Sequence, residues 1–106
     1  MCGIPPKTIE AIIRVESSYC TQMRHPVSSA RGAMQVLIGN MNVFDLHDAR
    51  SCEVSIISGT KLLCNLKSRF PRSYVARWYI GPNGDVRGEK TMLYLSKINM
   101  RNKYFN

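Results

Sequence analysis

Ile9, Ile12, Ile13 and Glu16 stand at i, i+3, i+4 and i+7 within Thr8-Ile9-Glu10-Ala11-Ile12-Ile13-Arg14-Val15-Glu16-Ser17-Ser18. That spacing predicts an α-helix with all four on one face. Three of the four are aliphatic and the last is an acid. Glu10 lies elsewhere on the helix and reads as a solvated charge. A carboxylate that continues an apolar stripe loses hydration, which disfavours its charged form and raises its pKa. A Glu that keeps its proton near neutral pH can serve as a general acid. The plainer alternative is an acid that closes the helix and reaches solvent or a basic partner.

The remaining elements also read as helices. Pro5-Pro6 precedes the first periodic residue, where proline suits an opening turn, so the first helix is predicted from about Pro6 to Tyr19. Cys20 to Ala30 reads as a loop. Arg31-Gly32-Ala33-Met34-Gln35-Val36-Leu37 reads as a second helix entered through a glycine, with Met34, Leu37, Ile38 and Met41 at helical spacing. Asp45 to Arg50 is a connection. Ser51 can cap a third helix, whose buried stripe is Ile56, Gly59, Leu63, Leu66 and Phe70 and which Pro71 stops. Ser73 to Ile80 gives a short fourth helix with Tyr74, Val75, Trp78 and Tyr79, and Gly81 to Asp85 a turn. A last helix runs from Glu89 to about Met100, marked by Met92, Leu95, Lys97 and Ile98, before a frayed basic tail. The expectation is an all-α fold of about five short helices with little or no sheet. At 106 residues it makes one domain, residues 1–106, without internal repeat or linker.

Cys2, Cys20, Cys52 and Cys64 match no CxxC or zinc-finger spacing, so no metal site is expected. An even count in a short chain suggests two disulfides and an oxidising compartment. Cys52 and Cys64 would lie about 18 Å apart along one helix. Bridged Cα atoms lie within about 7 Å, which excludes that pair and leaves two connectivities. Of these, Cys2–Cys52 with Cys20–Cys64 is preferred over Cys2–Cys64 with Cys20–Cys52. The alternative to both is four buried free thiols in a reducing cell.

Fifteen Lys and Arg against seven Asp and Glu give a net charge of +8, which favours a polyanionic partner: nucleic acid, anionic lipid or the acidic polymers of a bacterial wall. No run approaches the roughly 18 apolar residues of a transmembrane helix. Met1-Cys2-Gly3-Ile4-Pro5-Pro6 lacks the basic start and apolar middle of a signal peptide, so Met1 reads as a start placed on a mature sequence.

Four marks stand in order: Glu16-Ser17, Gly32-Ala33-Met34-Gln35, Gly59-Thr60-Lys61-Leu62-Leu63 and Trp78-Tyr79-Ile80-Gly81-Pro82. Together they resemble the soluble lytic transglycosylase domain, a lysozyme-like family that cuts peptidoglycan between N-acetylmuramic acid and N-acetylglucosamine. The family pattern is Glu-Ser, then Gly-x-Met-Gln, then Gly with Tyr-Leu, then Ala-Tyr-Asn-Ala-Gly-Pro. The resemblance runs from about Ile9 to Lys97. It implies that Glu16 is the catalytic acid and base and that Ser17 helps hold the substrate's N-acetyl group. Gln35 would line the cleft, with Met34 on its floor. It further implies that Gly32 admits a close helix approach and that Gly59 sits where helices cross. Two marks depart from the pattern. Leu62 replaces the third motif's tyrosine. Aligned on Gly81-Pro82, Trp78 stands where the family has tyrosine and Tyr79 where it has asparagine, so the hydroxyl that faces the catalytic Glu would come from Tyr79, or Trp78 would stack on a sugar instead.

Ordinary glycosidases need two carboxylates flanking the bond. Glu10, Asp45, Asp48, Glu53, Asp85 and Glu89 lie on no apolar stripe beside a matched motif. The resemblance implies a lone acid assisted by the substrate's 2-acetamido group, yielding 1,6-anhydromuramic ends. It implies a periplasmic or secreted monomer acting on peptidoglycan strands, without cofactor, nucleic acid or transmembrane segment, and working beside a secretion, pilus or conjugation machine. The rival expectations are a hydrolytic muramidase, a degenerate wall-binding module and a basic nucleic-acid module. No helix-turn-helix signature supports the last.

Overall fold

A computed structural model describes residues 2–37 and 50–104, with side chains through Ile98. Among the described residues the order is α1 (Pro6–Ser17), β1 (Ala30–Arg31), β2 (Val36–Leu37), α2 (Cys52–Arg69), α3 (Tyr74–Ile80) and α4 (Glu89–Tyr104). Ile38, Met41 and the stretch 45–49 lie outside the described residues. The chain divides into two compact units, Ile12–Lys61 and Met1–Ala11 with Leu62–Asn106.

In the first unit, Ile12 and Ile13 of α1 are buried, as the stripe predicts. α1 ends two residues earlier than expected. The cause is a run of non-glycine residues at positive φ: Ser18 at 50°, Tyr19 at 57° and Cys20 at 70°. The backbone N–H of Gln22 then donates to the Ser17 carbonyl at 2.9 Å, closing the turn.

The predicted second helix is instead a hairpin. β1 and β2 pair antiparallel, Ala30 with Leu37 and Arg31 with Val36. The fold is therefore mostly helical with a small sheet, not free of strands. Gly32 at φ 85° and Gln35 at φ 54° bend the chain between the strands, a geometry a helix forbids. Gly32 thus serves a tight loop and not a helix approach. Ala33 and Met34 in that loop are fully buried.

α2 opens as expected, with the Ser51 hydroxyl accepting the Val54 N–H at 3.2 Å. The disulfides are Cys2–Cys64 and Cys20–Cys52, one inside each unit. The preferred pairing of Cys2 with Cys52 and Cys20 with Cys64 is therefore corrected. The chain before α1 meets the second half of α2, and the chain after α1 meets its first residue. The rise of one long helix keeps those two ends apart, so the opposite pairing would need α1 reversed.

In the second unit, α3 and α4 pack on each other. Thr91, Tyr94 and Ile98 form the buried face of α4, while Met92 is exposed. Lys97 is exposed as well, so only Ile98 of the expected marks is buried. Helix α4 also continues to Tyr104, through residues expected to fray. No helix among the described residues is long and apolar enough to cross a membrane.

Candidate functional site

Glu16, Ser17, Met34, Gln35, Gly32 and Gly59 all belong to the unit Ile12–Lys61, whereas Trp78, Tyr79 and Gly81 belong to the other. Glu16 is half-buried in the last turn of α1. In the described part of its unit the other carboxylate is Glu53, exposed in the first turn of α2.

Ser17 has no accessible surface. Its hydroxyl donates to the Ile13 carbonyl at 3.0 Å and accepts the Cys20 N–H at 2.9 Å. A fully buried hydroxyl with both bonds spent on backbone does not touch a sugar. The expected substrate contact is corrected to a clasp that closes α1 behind Glu16.

The second matched motif is tied to the first through atoms that the sequence reading missed. Cys20 is bridged to Cys52. The buried Ser55 hydroxyl donates to the Cys52 carbonyl at 2.9 Å and accepts the Ala33 N–H at 3.0 Å. A continuous chain of bonds therefore runs from Ile13 through Ser17, Cys20, Cys52 and Ser55 to the hairpin loop. Its one sequence signal is Ser55 standing three residues after a cysteine on α2.

Met34 is buried against Gly59, where an added Cβ would meet its Sδ at 2.6 Å and its Cβ at 3.1 Å. The Thr60 hydroxyl lies 3.9 Å from the same sulfur. Gly59 therefore makes room for a hairpin side chain and not for a crossing helix. Gln35 is half-buried, and its Nε2 donates to the carbonyls of Met23 at 3.0 Å and Gly32 at 2.9 Å. The Met23 carbonyl also takes the Gly32 N–H at 2.8 Å. Gln35 thus fixes the loop that carries it.

In the other unit, Trp78 is half-buried on α3. The Tyr79 ring stacks on that of Tyr94, with centroids 4.6 Å apart, and stays 40% exposed. Gly81 at φ 86° ends α3, its N–H bonded to the Arg77 carbonyl at 2.8 Å. Arg77 Nη1 donates to the carbonyls of Gly81, Pro82 and Gly84 at 3.2, 3.1 and 2.7 Å. Its guanidinium lies 4.8 Å from the centre of the Phe70 ring. An open cavity beside Cys2–Cys64 is lined by Lys67, Ser68 and Pro71 and contains none of the matched motifs. No group of His, Cys, Asp and Glu suited to a metal occurs among the described residues.

The family model for the transglycosylase SLT domain matches residues 1–83, which contain all four motifs. The chain belongs to the transglycosylase SLT domain family. No curated protein and no solved structure matches it. Membership of this family supports glycan-cleaving transglycosylase activity on peptidoglycan in general. α4 follows the matched segment and covers Tyr79 at the end of that segment with Tyr94.

Proposed function

We propose that this SLT domain is a lytic transglycosylase with Glu16 as its one catalytic acid and base. It would cleave the β-1,4 bond from N-acetylmuramic acid to N-acetylglucosamine. Glu16 protonates the glycosidic oxygen as the bond breaks. The substrate's 2-acetamido carbonyl closes onto the anomeric carbon. Glu16 then takes the proton from the C6 hydroxyl as that oxygen attacks, leaving a 1,6-anhydromuramic end and no net use of water. In this reading Gln35 lines the cleft in the unit of Glu16 over a floor fixed by the buried Met34, Ser17 holds the Glu16 turn, and Trp78 and Tyr79 are glycan-binding residues of their own unit.

The observation that supports it is the half-buried Glu16 on a matched motif, accompanied in the described part of its unit by one exposed acid. The two disulfides are compatible with work in an oxidising compartment, the periplasm or outside the cell. Local opening of the wall for a secretion, pilus or conjugation machine extends the reading by analogy with small wall-cleaving enzymes.

Digestion of purified peptidoglycan, with products resolved by mass spectrometry, tests it. Wild type should release anhydromuropeptides, and Glu16→Gln should lose activity by about 10²-fold or more. Reducing ends from the wild type would make the enzyme a hydrolytic muramidase. Unchanged cleavage by Glu16→Gln would remove the catalytic assignment.

A further inference from the structure

We propose that Tyr19 is a stacking platform for a hexosamine ring of the glycan strand next to the bond at Glu16. The inference rests on the glycan-cleaving reading of the site and names a binding residue that the motifs do not include.

Tyr19 follows Glu16 by three residues, so its Cα lies within about 11 Å of that of Glu16 by chain geometry alone. That is within the length of a disaccharide. Its φ of 57° is rare for a bulky residue, and it sits between two further non-glycine residues at positive φ. Left-handed backbone at an L-residue costs about 1 kcal/mol or more, so the surrounding structure must enforce it. The Ser17 clasp and the Cys20–Cys52 bridge hold the following residue. The Thr21 hydroxyl donates to the Ser18 carbonyl at 2.9 Å and fixes the preceding one.

The enforced turn presents an aromatic ring at the surface. Tyr19 is 44% exposed, although a core position would stabilise it more. The Arg14 guanidinium lies 5.5 Å from its centroid, holding the ring from one side. A ring with a cation against it and 44% of its residue's surface exposed leaves contact area for a pyranose. The sugar's axial C–H bonds carry partial positive charge and meet the negative face of the π system, while its hydroxyls stay in water.

The test measures binding of the Glu16→Gln protein to purified sacculi by co-sedimentation, so the strand is held and not cut. Tyr19→Ala in that background should bind about tenfold more weakly, while Tyr19→Phe and Tyr19→Trp bind as the parent does. The loss should persist at high salt, since it does not arise from the net positive charge. Equal binding by Tyr19→Ala would overturn the proposal. So would an equal loss in Tyr19→Phe, which would assign the effect to the hydroxyl, or a parent protein that does not bind sacculi. The lytic reading fails on a different readout, the chemistry of the wild-type ends.

Discussion

The unit around Glu16 and the unit around Gly81-Pro82 each carry matched motifs, but they are held by different means. The first joins its motifs covalently and through the core. Cys20–Cys52 and Ser55 connect the end of α1 to the hairpin, and Met34 is buried against Gly59. In the second, one side chain gathers the closing turn. Arg77 gathers three carbonyls around the Gly81-Pro82 turn, and its Nε is buried with no partner among the described residues. A covalent tie and a packed sulfur resist small displacements of backbone. A guanidinium reaching three carbonyls fixes a loop only while its own stem stays in place. The acid therefore stands in the stiffer of the two settings, as a group that must meet a glycosidic oxygen requires.

Removing the disulfides one at a time gives the largest expected effect and tests this contrast directly. Cys2–Cys64 spans 62 positions and Cys20–Cys52 spans 32. Loop entropy assigns about 4 kcal/mol of stability to each, slightly more to the longer. Thermal unfolding of the two double-serine variants should show losses of that order. Peptidoglycan cleavage by the folded fraction should then divide them. Cys20→Ser with Cys52→Ser should lose much of its activity, because the Glu16 turn relaxes. Cys2→Ser with Cys64→Ser should keep most of its own. Equal specific activity in the two variants would show that the bridge near Glu16 only stabilises.

Two glycines sharpen the same contrast at lower energy. An added Cβ at Gly84 meets the Ile80 side chain and lies 2.6 Å from the Ile80 carbonyl oxygen, which backbone holds in place. At Gly59 the three nearest atoms all belong to the Met34 side chain, whose sulfur at 2.6 Å can turn aside while its Cβ at 3.1 Å must give by a few tenths of an ångström. Gly84→Ala should therefore destabilise by about 3 kcal/mol and Gly59→Ala by about 1 to 2 kcal/mol, read from denaturant midpoints. Activity should follow the reverse order relative to stability, since shifting Met34 moves the hairpin in the unit of Glu16.

How far these features were legible in the sequence differs between the units for physical reasons. α1, α2 and α3 follow from periodicity and from the stops at Pro71 and Gly81, and their ends agree within two residues. The hairpin did not follow. Its strands are two residues each, too short to show alternation, and the positive φ of Gln35 has no residue signature. The buried face of α4 was misread because Met92, Leu93, Tyr94 and Leu95 are four apolar residues in succession, among which a helical period cannot choose. The rise of α2 reduced the disulfides to two pairings. Choosing between them required the direction of α1, which no spacing encodes. Glu16 stands out in the sequence because a motif and a stripe coincide on it. Ser17 was found for the wrong role, since the sequence does not show where a hydroxyl spends its bonds. The left-handed turn at Tyr19, without glycine, was invisible.

The smallest effect concerns Ser55, the link least visible in sequence. Its hydroxyl accepts the buried Ala33 N–H at 3.0 Å. Ser55→Ala removes that partner from a buried donor, which costs about 1 to 2 kcal/mol. Ser55→Thr keeps the hydroxyl and adds one methyl group, so it should recover most of the loss. If Ser55 only stabilised the fold, activity per folded molecule would be equal in all three proteins. If it positions the hairpin in the unit of Glu16, Ser55→Ala should lower kcat for peptidoglycan cleavage by several-fold at a temperature where all three are folded. Ser55→Thr should then restore it. A flat kcat across the series would reduce the bonded chain from Ile13 to Ala33 to a matter of stability, and with it the claim that the unit around Glu16 is stiff for the sake of its chemistry.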